Sequence, residues 1–407
     1  MRGICLYLHI HQPFRYRAYS IFDVGNNENY FLDNNFHSKQ NNERIFKKVA
    51  EKSYYPTFDL LEKNLKNHAD FKFSLSVTGV WLEQAELWAP DLIERLKKMV
   101  ETKRVGLVAE TYYHSMSFFY DKDEFKFQVE KQVATFKRLF SYTPKVFRNT
   151  EFAYNDEVGK LVESLGFSAC LAEGWDKILG WRSPNFVYKA SGTKNLKLLL
   201  KNYRLSDDIA FRFSDKNWKD WPLTVEKYER WLDDACLNGN VVNLFMDFET
   251  FGEHQWKETG IFDFMNHLID SWLEKPENTF LTVSDEAKLE PVAELSMPWT
   301  VTWADTERDL SAWMGNKLQD EAMSSLYSLR MKVLKKSEEL GKIDKKRAET
   351  LLEDFRRLTT SDHAYYMCTK YWNDGDVHAY FSAYDSPYDA FMYFLNVLHS
   401  LEYRLSL

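Results

Sequence analysis

Apolar residues occur along the first two thirds of the chain in short runs, and each run ends in polar or ionisable residues. Runs of this length, closed by polar residues, are typical of buried strands. Between several runs the apolar residues follow a helical spacing instead, at residues 57–68, 89–103, 124–140 and 155–166. Seven strand-like runs occur, at residues 4–13, 71–79, 104–114, 145–156, 166–176, 196–208 and 240–254.

The alternation of strands and helices predicts an α/β fold in which a parallel sheet carries helices on its outside. Seven strands fit a parallel barrel that falls one strand short of the common eightfold barrel. After about residue 290 the pattern changes to long amphipathic helices, at residues 305–341, 344–372 and 386–406. We therefore expect a barrel domain over residues 1–290 and a C-terminal helical domain over residues 291–407 that contributes to the cleft.

Two acidic residues, Asp247 and Glu249, stand where the last predicted strand ends. Residues two apart in a strand share a face, so we expect both side chains to point the same way. In parallel barrels the chemistry sits at the C-terminal ends of the strands. A buried, unpaired carboxylate costs several kcal/mol, so these groups need a partner or a function. The structural alternative is an Asp–Arg pair that closes the barrel.

A second candidate carboxylate, Glu151, follows another apolar strand. Its structural alternative is an ion pair with Arg148, three residues earlier. Two carboxyls from different strand ends are what retaining glycoside hydrolysis uses, one as nucleophile and one as proton donor. The apolar strand and the nearby carboxylate are expected to raise the pKa of Asp247, so that it keeps its proton. The 13 Trp and 23 Tyr residues would supply flat platforms for sugar rings.

His9 and His11 share a face at the end of the first predicted strand. Paired histidines suggest a divalent metal, with Asp247 or His254 as a third ligand. Hydrogen bonds from Gln12 and its neighbours to substrate hydroxyls are a second interpretation. A packed pair with satisfied hydrogen bonds is the structural alternative.

The charge and the cysteines of the chain argue against several other classes of protein. The net charge is −8 and there is no basic block, which argues against nucleic-acid binding. The four cysteines are far apart and form no CxxC motif, as expected for free thiols of a cytosolic protein. The first residues resemble a strand rather than a signal peptide, and no run reaches the ~18 apolar residues of a membrane span. We expect a cytoplasmic protein that acts without nucleic acid or membrane, and the sequence leaves its oligomeric state open.

Taken together, the motifs resemble glycoside hydrolase family 57, and more narrowly its α-amylase-like members. Five short regions characterise this family, and the resemblance is most specific in the third, "RNTEFAYND" (148–156), and the fourth, "MDFETFGEHQW" (246–256). Many members have D-G-E in the fourth region where this chain has D-F-E, and we expect Phe248 to narrow the cleft. Five short regions of the family have counterparts here in order: "HIHQP" (9–13), "GLVAETYYHS" (106–115), "RNTEFAYND" (148–156), "MDFETFGEHQW" (246–256) and "LTTSDHAYYM" (358–367).

The resemblance implies an incomplete (β/α)7 barrel with a C-terminal helical domain, α-glucan substrates, and chemistry that requires no metal or other cofactor. It places the nucleophile on Glu151 and the acid/base on Asp247. The segment 302–316 is dense in aromatic and charged residues and is expected to form cleft wall, with an N-terminal capping cluster as the alternative. We expect substrate contacts from His11, Gln12, Glu110, His114, Arg148, Trp175, Glu249, His254, Trp256, Trp303, Trp313 and Asp362.

The predicted function is therefore retaining hydrolysis of internal α-1,4 bonds in an α-glucan or maltooligosaccharide, as in α-amylases. The same constellation would support a 4-α-glucanotransferase or a branching enzyme. From another class, a metal-dependent polysaccharide deacetylase or α-mannosidase-like hydrolase would use His9 and His11. A catalytically silent glucan-binding protein is a third interpretation, which the presence of both carboxylates disfavours.

Overall fold

The computed structural model describes residues 2–370 and 382–407. The chain forms two compact units, each built from several segments. Unit 1 consists of Met1–His11, Lys47–Glu110 and Val129–Trp303, and unit 2 of Gln12–Phe46, Thr111–Gln128 and Ala304–Leu407. The domain boundary at residue 290 stays a prediction.

The strands of unit 1 are short, and most of their residues are buried. Strands of a parallel sheet that is covered on both faces are expected to be such continuous apolar runs. The strands are β1 (Arg2–Ile10), β2 (Phe73–Val77), β3 (Val105–Val108), β4 (Val146–Arg148), β5 (Ala169–Glu173), β6 (Tyr188–Ala190), β7 (Lys197–Lys201), β8 (Val241–Asp247), β9 (Asn278–Leu281) and β10 (Glu294–Leu295).

Seven of these strands form an incomplete (β/α)7 barrel, as the sequence predicted. The parallel order β3-β2-β1-β8 makes one sheet, and β7-β5-β4 runs parallel in the other. A parallel bridge between Ala109 and Phe147 joins β3 to β4. At the other junction, the amide of Asn202 donates to the carbonyl of Asn243 at 3.0 Å, next to β7 and within β8. The strands therefore follow one another in the order β1-β2-β3-β4-β5-β7-β8.

The helices follow the strands in the predicted alternation and then dominate the last third of the chain. Short 3-10 turns occupy Ile21–Asp23, Thr150–Phe152, Phe248–Thr250 and Lys257–Thr259, and π-helical turns occupy Ala50–Tyr54 and Asp208–Arg212. The α-helices are α1 (Asn42–Val49), α2 (Tyr55–Asn67), α3 (Gly79–Trp88), α4 (Pro90–Glu101), α5 (Ser117–Tyr120), α6 (Lys122–Phe140), α7 (Asp156–Ser164), α8 (Asp176–Leu179), α9 (Tyr203–Asp207), α10 (Val225–Leu237), α11 (Ile261–Leu273), α12 (Val283–Glu286), α13 (Ser311–Met314), α14 (Lys317–Ser328), α15 (Arg330–Gly341), α16 (Lys345–Leu358), α17 (Ser361–Tyr365) and α18 (Pro387–Ser406).

Helix starts in unit 1 follow local sequence signals. Helix α4 begins with Pro90 in its first turn and carries Asp91 beside it, where an acidic side chain favours the helix dipole. Helix α7 is capped by Asn155, whose side-chain oxygen accepts from the amide of Val158 at 3.0 Å. Both starts agree with the positions that the sequence predicted.

The long helices predicted for the last third of the chain are divided in the structure. The pattern over 305–341 forms α13, α14 and α15, because the Asn316 side chain accepts from the amides of Leu318 and Gln319 and starts a new helix. The pattern over 344–372 forms α16 and α17, and residues 371 and 372 lie outside the described residues. Helix α18 starts at Pro387 behind a Ser386 cap, as predicted.

The interior of the barrel is apolar, and one of the four cysteines, Cys5, lies in it. All four cysteines are free thiols, as the sequence predicted. In the part of the chain that the structure describes, no helix has the length and apolar character that crossing a membrane requires. The interior is lined by Cys5, Tyr7, Val108, Val146, Phe152, Ala169, Leu171, Val187, Leu199, Val241, Phe245 and Val283; Cys170, on β5, is also fully buried.

Candidate active site

Both predicted catalytic carboxylates emerge at the C-terminal ends of barrel strands. Asp247 is the last residue of β8, and Glu151 follows the end of β4 in the turn Thr150–Phe152. The loops at this edge of a parallel barrel carry its chemistry. The structure therefore puts both carboxylates at the edge where the sequence predicted them.

The expectation that Asp247 and Glu249 share one face of a strand is wrong. Strand β8 ends at Asp247, and Phe248–Thr250 form a 3-10 turn, so the two-residue alternation of a strand does not continue. The Asp247 side chain is 37% exposed, whereas Glu249 is only 8% exposed and accepts a hydrogen bond from the Tyr54 hydroxyl at 2.9 Å. The two acids therefore have different surroundings.

Phe248, which separates these two acids, does not narrow a cleft as expected. Its side chain is fully buried and contacts the rings of Tyr54 and Phe58 at centroid distances of 6.1 and 5.6 Å. The 3-10 turn directs this side chain into the apolar interior. The D-F-E departure from the family pattern is thus part of the core.

Glu151 lies in an unusual turn. Its backbone has φ 57° and ψ 25°, and Phe152 follows with φ 55°, so two consecutive non-glycine residues adopt the left-handed region. Each such residue costs on the order of 1–3 kcal/mol and persists only where its surroundings hold it. The Asn149 side chain donates to the carbonyl of Ala153 across the turn at 2.7 Å, and the Phe152 ring is fully buried. These contacts hold the backbone of the turn and so fix the direction in which the Glu151 side chain points.

Trp303 is a side-chain partner of this carboxylate within unit 1: its indole Nε1 donates to Oε2 of Glu151 at 2.7 Å. Its ring stacks on Phe152, with centroids 4.8 Å apart. The Arg148 guanidinium lies 4.9 Å from the ring centre and the Lys201 ammonium 5.4 Å. Trp303 was predicted as cleft wall, and the structure brings it to the candidate nucleophile.

Asp247 belongs to a chain of polar contacts that runs into the barrel. Its Oδ1 lies 3.3 Å from Nδ1 of His9, and Nε2 of His9 lies 3.2 Å from Oε1 of Glu110. Nη1 of Arg148 donates to Oε2 of Glu110 at 3.4 Å. His9, Glu110 and Arg148 are all buried, so these groups compensate one another's charge in a medium of low dielectric.

The pKa of Asp247 lies below its ordinary value, so the expected rise is wrong. Burial raises it, but the His9 contact and the positive potential of His9, His254 and Arg148 outweigh burial. The opposite holds for Glu249, because burial and then the charge of Asp247 raise its pKa well above the ordinary range. The pKa values of these two neighbouring acids are therefore shifted in opposite directions.

The loop after β8 is held by close backbone packing. Gly252 has φ +101°, and a Cβ atom there would lie 1.8 Å from the carbonyl oxygen of Lys52. The amide of His254 donates to the carbonyl of Glu249 at 3.0 Å, and burial lowers the pKa of the His254 imidazole. Trp256 is 58% exposed at the end of this loop, so its ring is accessible for stacking.

Potential metal ligands in unit 1 are engaged with one another. His11 Nδ1 lies 3.0 Å from the Thr78 hydroxyl, and its ring stacks on His9 at 5.9 Å. Both ring nitrogens of His9 contact carboxylates, those of Asp247 and Glu110. In unit 2, His114 and Asp362 bring potential ligand atoms within 4.8 Å of one another. A catalytic zinc site takes three protein ligands, so neither pair completes one by itself.

The remaining predicted contact residues are found before α8 and in unit 2. Trp175 precedes α8, with the Lys177 ammonium 4.6 Å from its ring. Trp313 is buried in unit 2 and packs on Tyr365 with centroids 6.0 Å apart. Unit 2 also contains Gln12, His114 and Asp362. In the segment 302–316, Asp305 and Glu307 pair with Lys370 at 3.3 and 3.2 Å.

Three residues of the site were not singled out from the sequence, namely Tyr7, Tyr54 and Lys201, whereas His9 was considered there as a metal ligand or a packed residue. Lys201 is the last residue of β7, so the rule that strand ends carry the chemistry could have found it. Tyr7 lies two residues before His9 in β1, on the same face, and its hydroxyl lies 2.6 Å from that of Ser76. Tyr54 lies in a π-helical turn far from any motif, and the sequence held no signal for it.

The barrel with its paired strand-end carboxylates has the architecture of a glycoside hydrolase. The model of the family described as "Glycosyl hydrolase family 57" matches residues 5–298. The chain therefore belongs to glycosyl hydrolase family 57, and the resemblance based on the five sequence regions is confirmed. The protein is an enzyme of this family.

Similar proteins include α-glucan-active enzymes of several kinds. A curated protein of Methanocaldococcus jannaschii named "Putative alpha-amylase" is 41% identical over 400 residues, which cover 97% of this chain and 83% of that protein. A 4-alpha-glucanotransferase from Thermococcus litoralis is similar in structure with a TM-score of 0.59 and 17% identity. The match covers 86% of this chain but 49% of that one, so the present chain spans about half of it.

Two further structures match at nearly full length. An α-amylase of Thermotoga maritima has a TM-score of 0.64 and 13% identity, with 100% of this chain and 94% of that chain covered. A branching enzyme of Thermococcus kodakaraensis has a TM-score of 0.66 and 14% identity, with 93% and 88% covered. At these identities the matches establish the shared fold.

Proposed function

We propose that the protein is a retaining glycoside hydrolase that cleaves internal α-1,4 bonds of α-glucans, as α-amylases do. One observation carries the proposal: two strand ends of one barrel present the carboxylates of Glu151 and Asp247, each held by a nitrogen of another strand or loop. The name of the relative from Methanocaldococcus jannaschii agrees with this substrate class.

In the first step, an oxygen of Glu151 forms a bond to the anomeric carbon while the glycosidic C–O bond breaks. Asp247 gives its proton to the leaving oxygen. In the second step, water attacks the anomeric carbon, gives a proton to Asp247 and displaces Glu151 as a carboxylate. Two inversions at one carbon give a product that retains the configuration of the substrate.

The protonation of Asp247 depends on the substrate. The exposed 37% of its side chain would be covered when a glucan fills the cleft, and lost hydration raises the pKa of a carboxyl. The pKa of Glu249 is raised, but this side chain is buried and hydrogen-bonded to Tyr54. We assign proton transfer to Asp247 because its side chain is accessible, and Glu249 is the rival that the experiments must separate.

The nucleophile is tested with Glu151→Gln, which should lose at least about three orders of magnitude in rate because an amide forms no stable glycosyl ester. Azide should partly restore the activity of Glu151→Ala and give a product of inverted configuration. Glu157→Gln, on the exposed surface of α7, is the matched control and should keep full activity. Hydrolysis at the wild-type rate by Glu151→Gln would overturn the assignment.

Product chromatography on amylose and on maltotriose tests the reaction type. Hydrolysis of internal bonds converts amylose into a mixture of maltooligosaccharides whose mean length decreases with reaction time. Longer products from maltotriose would indicate 4-α-glucanotransfer, and new branch points would indicate branching, because a sugar hydroxyl then resolves the intermediate instead of water. Either outcome would replace the amylase proposal while leaving the roles of Glu151 and Asp247 unchanged.

A further inference from the structure

The indole of Trp303 makes a direct polar contact with the candidate nucleophile. The 2.7 Å distance between its Nε1 and Oε2 of Glu151 lies at the short end of the range for hydrogen bonds to ionised acceptors. An indole N–H donates and never accepts, so this group interacts more strongly with a carboxylate than with a neutral ester. Trp303 therefore distinguishes between two states that Glu151 passes through in the proposed reaction.

The backbone holds this indole in register with the turn that carries Glu151. Tyr154 and Val301 exchange two main-chain hydrogen bonds, both of 2.9 Å. The amide of Trp303 donates to the carbonyl of Glu151 at 3.2 Å. Donor and acceptor thus belong to two short segments that are paired to each other, and little rearrangement is needed when charge appears on the carboxylate.

Two cations lie against the same indole. The Arg148 guanidinium lies 4.9 Å and the Lys201 ammonium 5.4 Å from the ring centre. Lys201 is only 4% exposed and is held by Asp207 at 3.0 Å and Glu173 at 3.9 Å. Nearby positive charge polarises the π system and strengthens the N–H as a donor.

We propose that Trp303 is a positioning residue whose N–H stabilises Glu151 as it departs as a carboxylate in the second step of the reaction. The proposal rests on the proposed function, in which Glu151 forms the covalent intermediate. In that step the water oxygen bonds to the anomeric carbon, a water proton goes to Asp247, and the bonding pair returns to Glu151. Trp303 is hydrogen-bonded to one of the two oxygens that share this returning charge.

The two chemical steps respond differently to loss of this donor. Formation of the intermediate consumes the charge of Glu151, so a donor that stabilises the carboxylate gives that step no advantage. Breakdown regenerates the charge, so the same donor lowers its barrier. Without the N–H, breakdown slows and the intermediate accumulates, which lowers kcat and KM together while kcat/KM changes little.

The test uses Trp303→Phe and an aryl α-maltoside with a good leaving group. We expect kcat to fall about 10- to 100-fold, the range for one hydrogen bond to a charged group, and KM to fall in parallel. The ratio kcat/KM should stay within about threefold of wild type. Mass spectrometry of the acid-quenched enzyme should find maltosyl-Glu151 in the variant at steady state. Equal losses in kcat and kcat/KM, without accumulation, would overturn the inference.

Two further variants separate the N–H from the bulk of the ring. Replacement of Trp303 by 3-benzothienylalanine keeps the bicyclic ring and puts sulfur in place of the N–H, so it should reproduce the kinetic pattern even if Trp303→Phe folds poorly. Trp272 is the matched control, since it is fully buried and its Nε1 donates to the carbonyl of Thr279 at 3.3 Å. Trp272→Phe should lower the Tm without lowering KM.

Failure of the inference can be distinguished from failure of the proposed function in the wild-type enzyme. A fluorinated maltosyl fluoride forms the covalent intermediate and releases it slowly, so it should label Glu151 in the wild type. Absence of that label, or a label on another residue, would overturn the proposed function. A label on Glu151 combined with unchanged breakdown in both Trp303 variants would overturn only the role of the indole.

Discussion

At the scale of single residues, two acids that are two positions apart have pKa values shifted in opposite directions. Asp247 contacts His9 and remains partly exposed, whereas Glu249 is enclosed and contacts the Tyr54 hydroxyl. Nearby positive charge favours the ionised form of a carboxyl, and burial favours the neutral form. The sequence predicted the same surroundings for both acids because it could not reveal where the strand gives way to a turn.

The proposed role of Asp247 as proton donor predicts that the effect of its loss depends on the leaving group of the substrate. Asp247→Asn should lose about 10²- to 10⁴-fold in rate on maltooligosaccharides, because an alkoxide leaves poorly without a proton. On an aryl maltoside whose phenolate leaves unaided, formation of the intermediate should slow less than about tenfold. Glu249→Gln is the matched control and should affect both substrates equally. If instead Glu249→Gln showed the dependence on the leaving group and Asp247→Asn slowed both substrates equally, Glu249 would be the acid.

The contact between His9 and Asp247 predicts a shift in the pH profile. His9 lowers the pKa of Asp247 while burial raises it, so removing His9 should raise that pKa. The acid then keeps its proton to higher pH, and the alkaline limb of kcat/KM should move upwards in His9→Gln. In His9→Asn the amide nitrogen can replace Nδ1 but carries no charge, so the shift should be smaller. An unmoved limb in both variants would mean that another group titrates there.

At the scale of elements, the strand pattern was predictable and the ends of the elements were not. Six of the seven barrel strands lie within the predicted runs and β1 begins two residues before its run, because a strand buried on both faces leaves a continuous apolar signal in the sequence. The turns Thr150–Phe152 and Phe248–Thr250 left no such signal. Their conformation depends on tertiary contacts, as the packing of Gly252 on the carbonyl of Lys52 illustrates.

The helical third of the chain illustrates a second limit of the sequence signal. The apolar pattern over 305–341 predicted long helical structure, which the chain divides into α13, α14 and α15. A new helix begins after Asn316, because the side chain of this residue accepts hydrogen bonds from two backbone amides of the following turn. Helical periodicity identifies which residues face the core, but caps and tertiary packing determine where one helix ends and the next begins.

Helix α12 carries a buried acid that predicts a dependence of stability on pH. Burial raises the pKa of Glu286 to about 8, and the Asn243 side chain donates to its Oε1 at 2.9 Å. In the unfolded chain this carboxyl ionises at its ordinary value of 4.5. The folded state binds the proton more tightly, so the free energy of unfolding should fall as pH rises from about 4.5 to 8 and then level off.

Glu286→Gln should remove this loss of stability. Relative to wild type, the free energy of unfolding of the variant should rise between pH 5 and 8 by about 4 kcal/mol at most, because each pH unit between the two pKa values contributes about 1.36 kcal/mol. Urea unfolding at pH 5 and at about pH 8.5 measures the difference. Glu290→Gln, an exposed acid four residues away, is the control and should show no such change. A pH-independent effect of Glu286→Gln would contradict the prediction.

At the scale of the whole molecule, the sequence identified the family of the protein. The five regions led to the family, and the family match over residues 5–298 agrees. The grouping of Gln12–Phe46 and Thr111–Gln128 with Ala304–Leu407 in unit 2 left no trace in the apolar pattern. Periodicity reports whether an element has a buried face, and not which other element covers it.

The metal-dependent alternative predicts a different response of the whole enzyme to chelation. Catalysis by a carboxylate pair needs no metal ion, so dialysis against EDTA should leave the activity on amylose unchanged. Metal analysis of the purified protein by plasma mass spectrometry should find less than about 0.1 equivalent of zinc. Loss of activity in EDTA, with recovery on adding zinc or another divalent ion, would instead support a metal-dependent hydrolase that uses His9 and His11.

The backbone of the loop after β8 has a consequence for how freely this gene can vary. At position 252 any side chain would meet the Lys52 carbonyl at 1.8 Å, and the positive φ excludes most residues on its own account. At Gly341, on the surface helix α15, the nearest atom to an added Cβ is the Ala348 methyl at 3.9 Å. In a library randomised at both positions and selected for active enzyme, we expect many different amino acids at position 341. At position 252 we expect only glycine among the active variants.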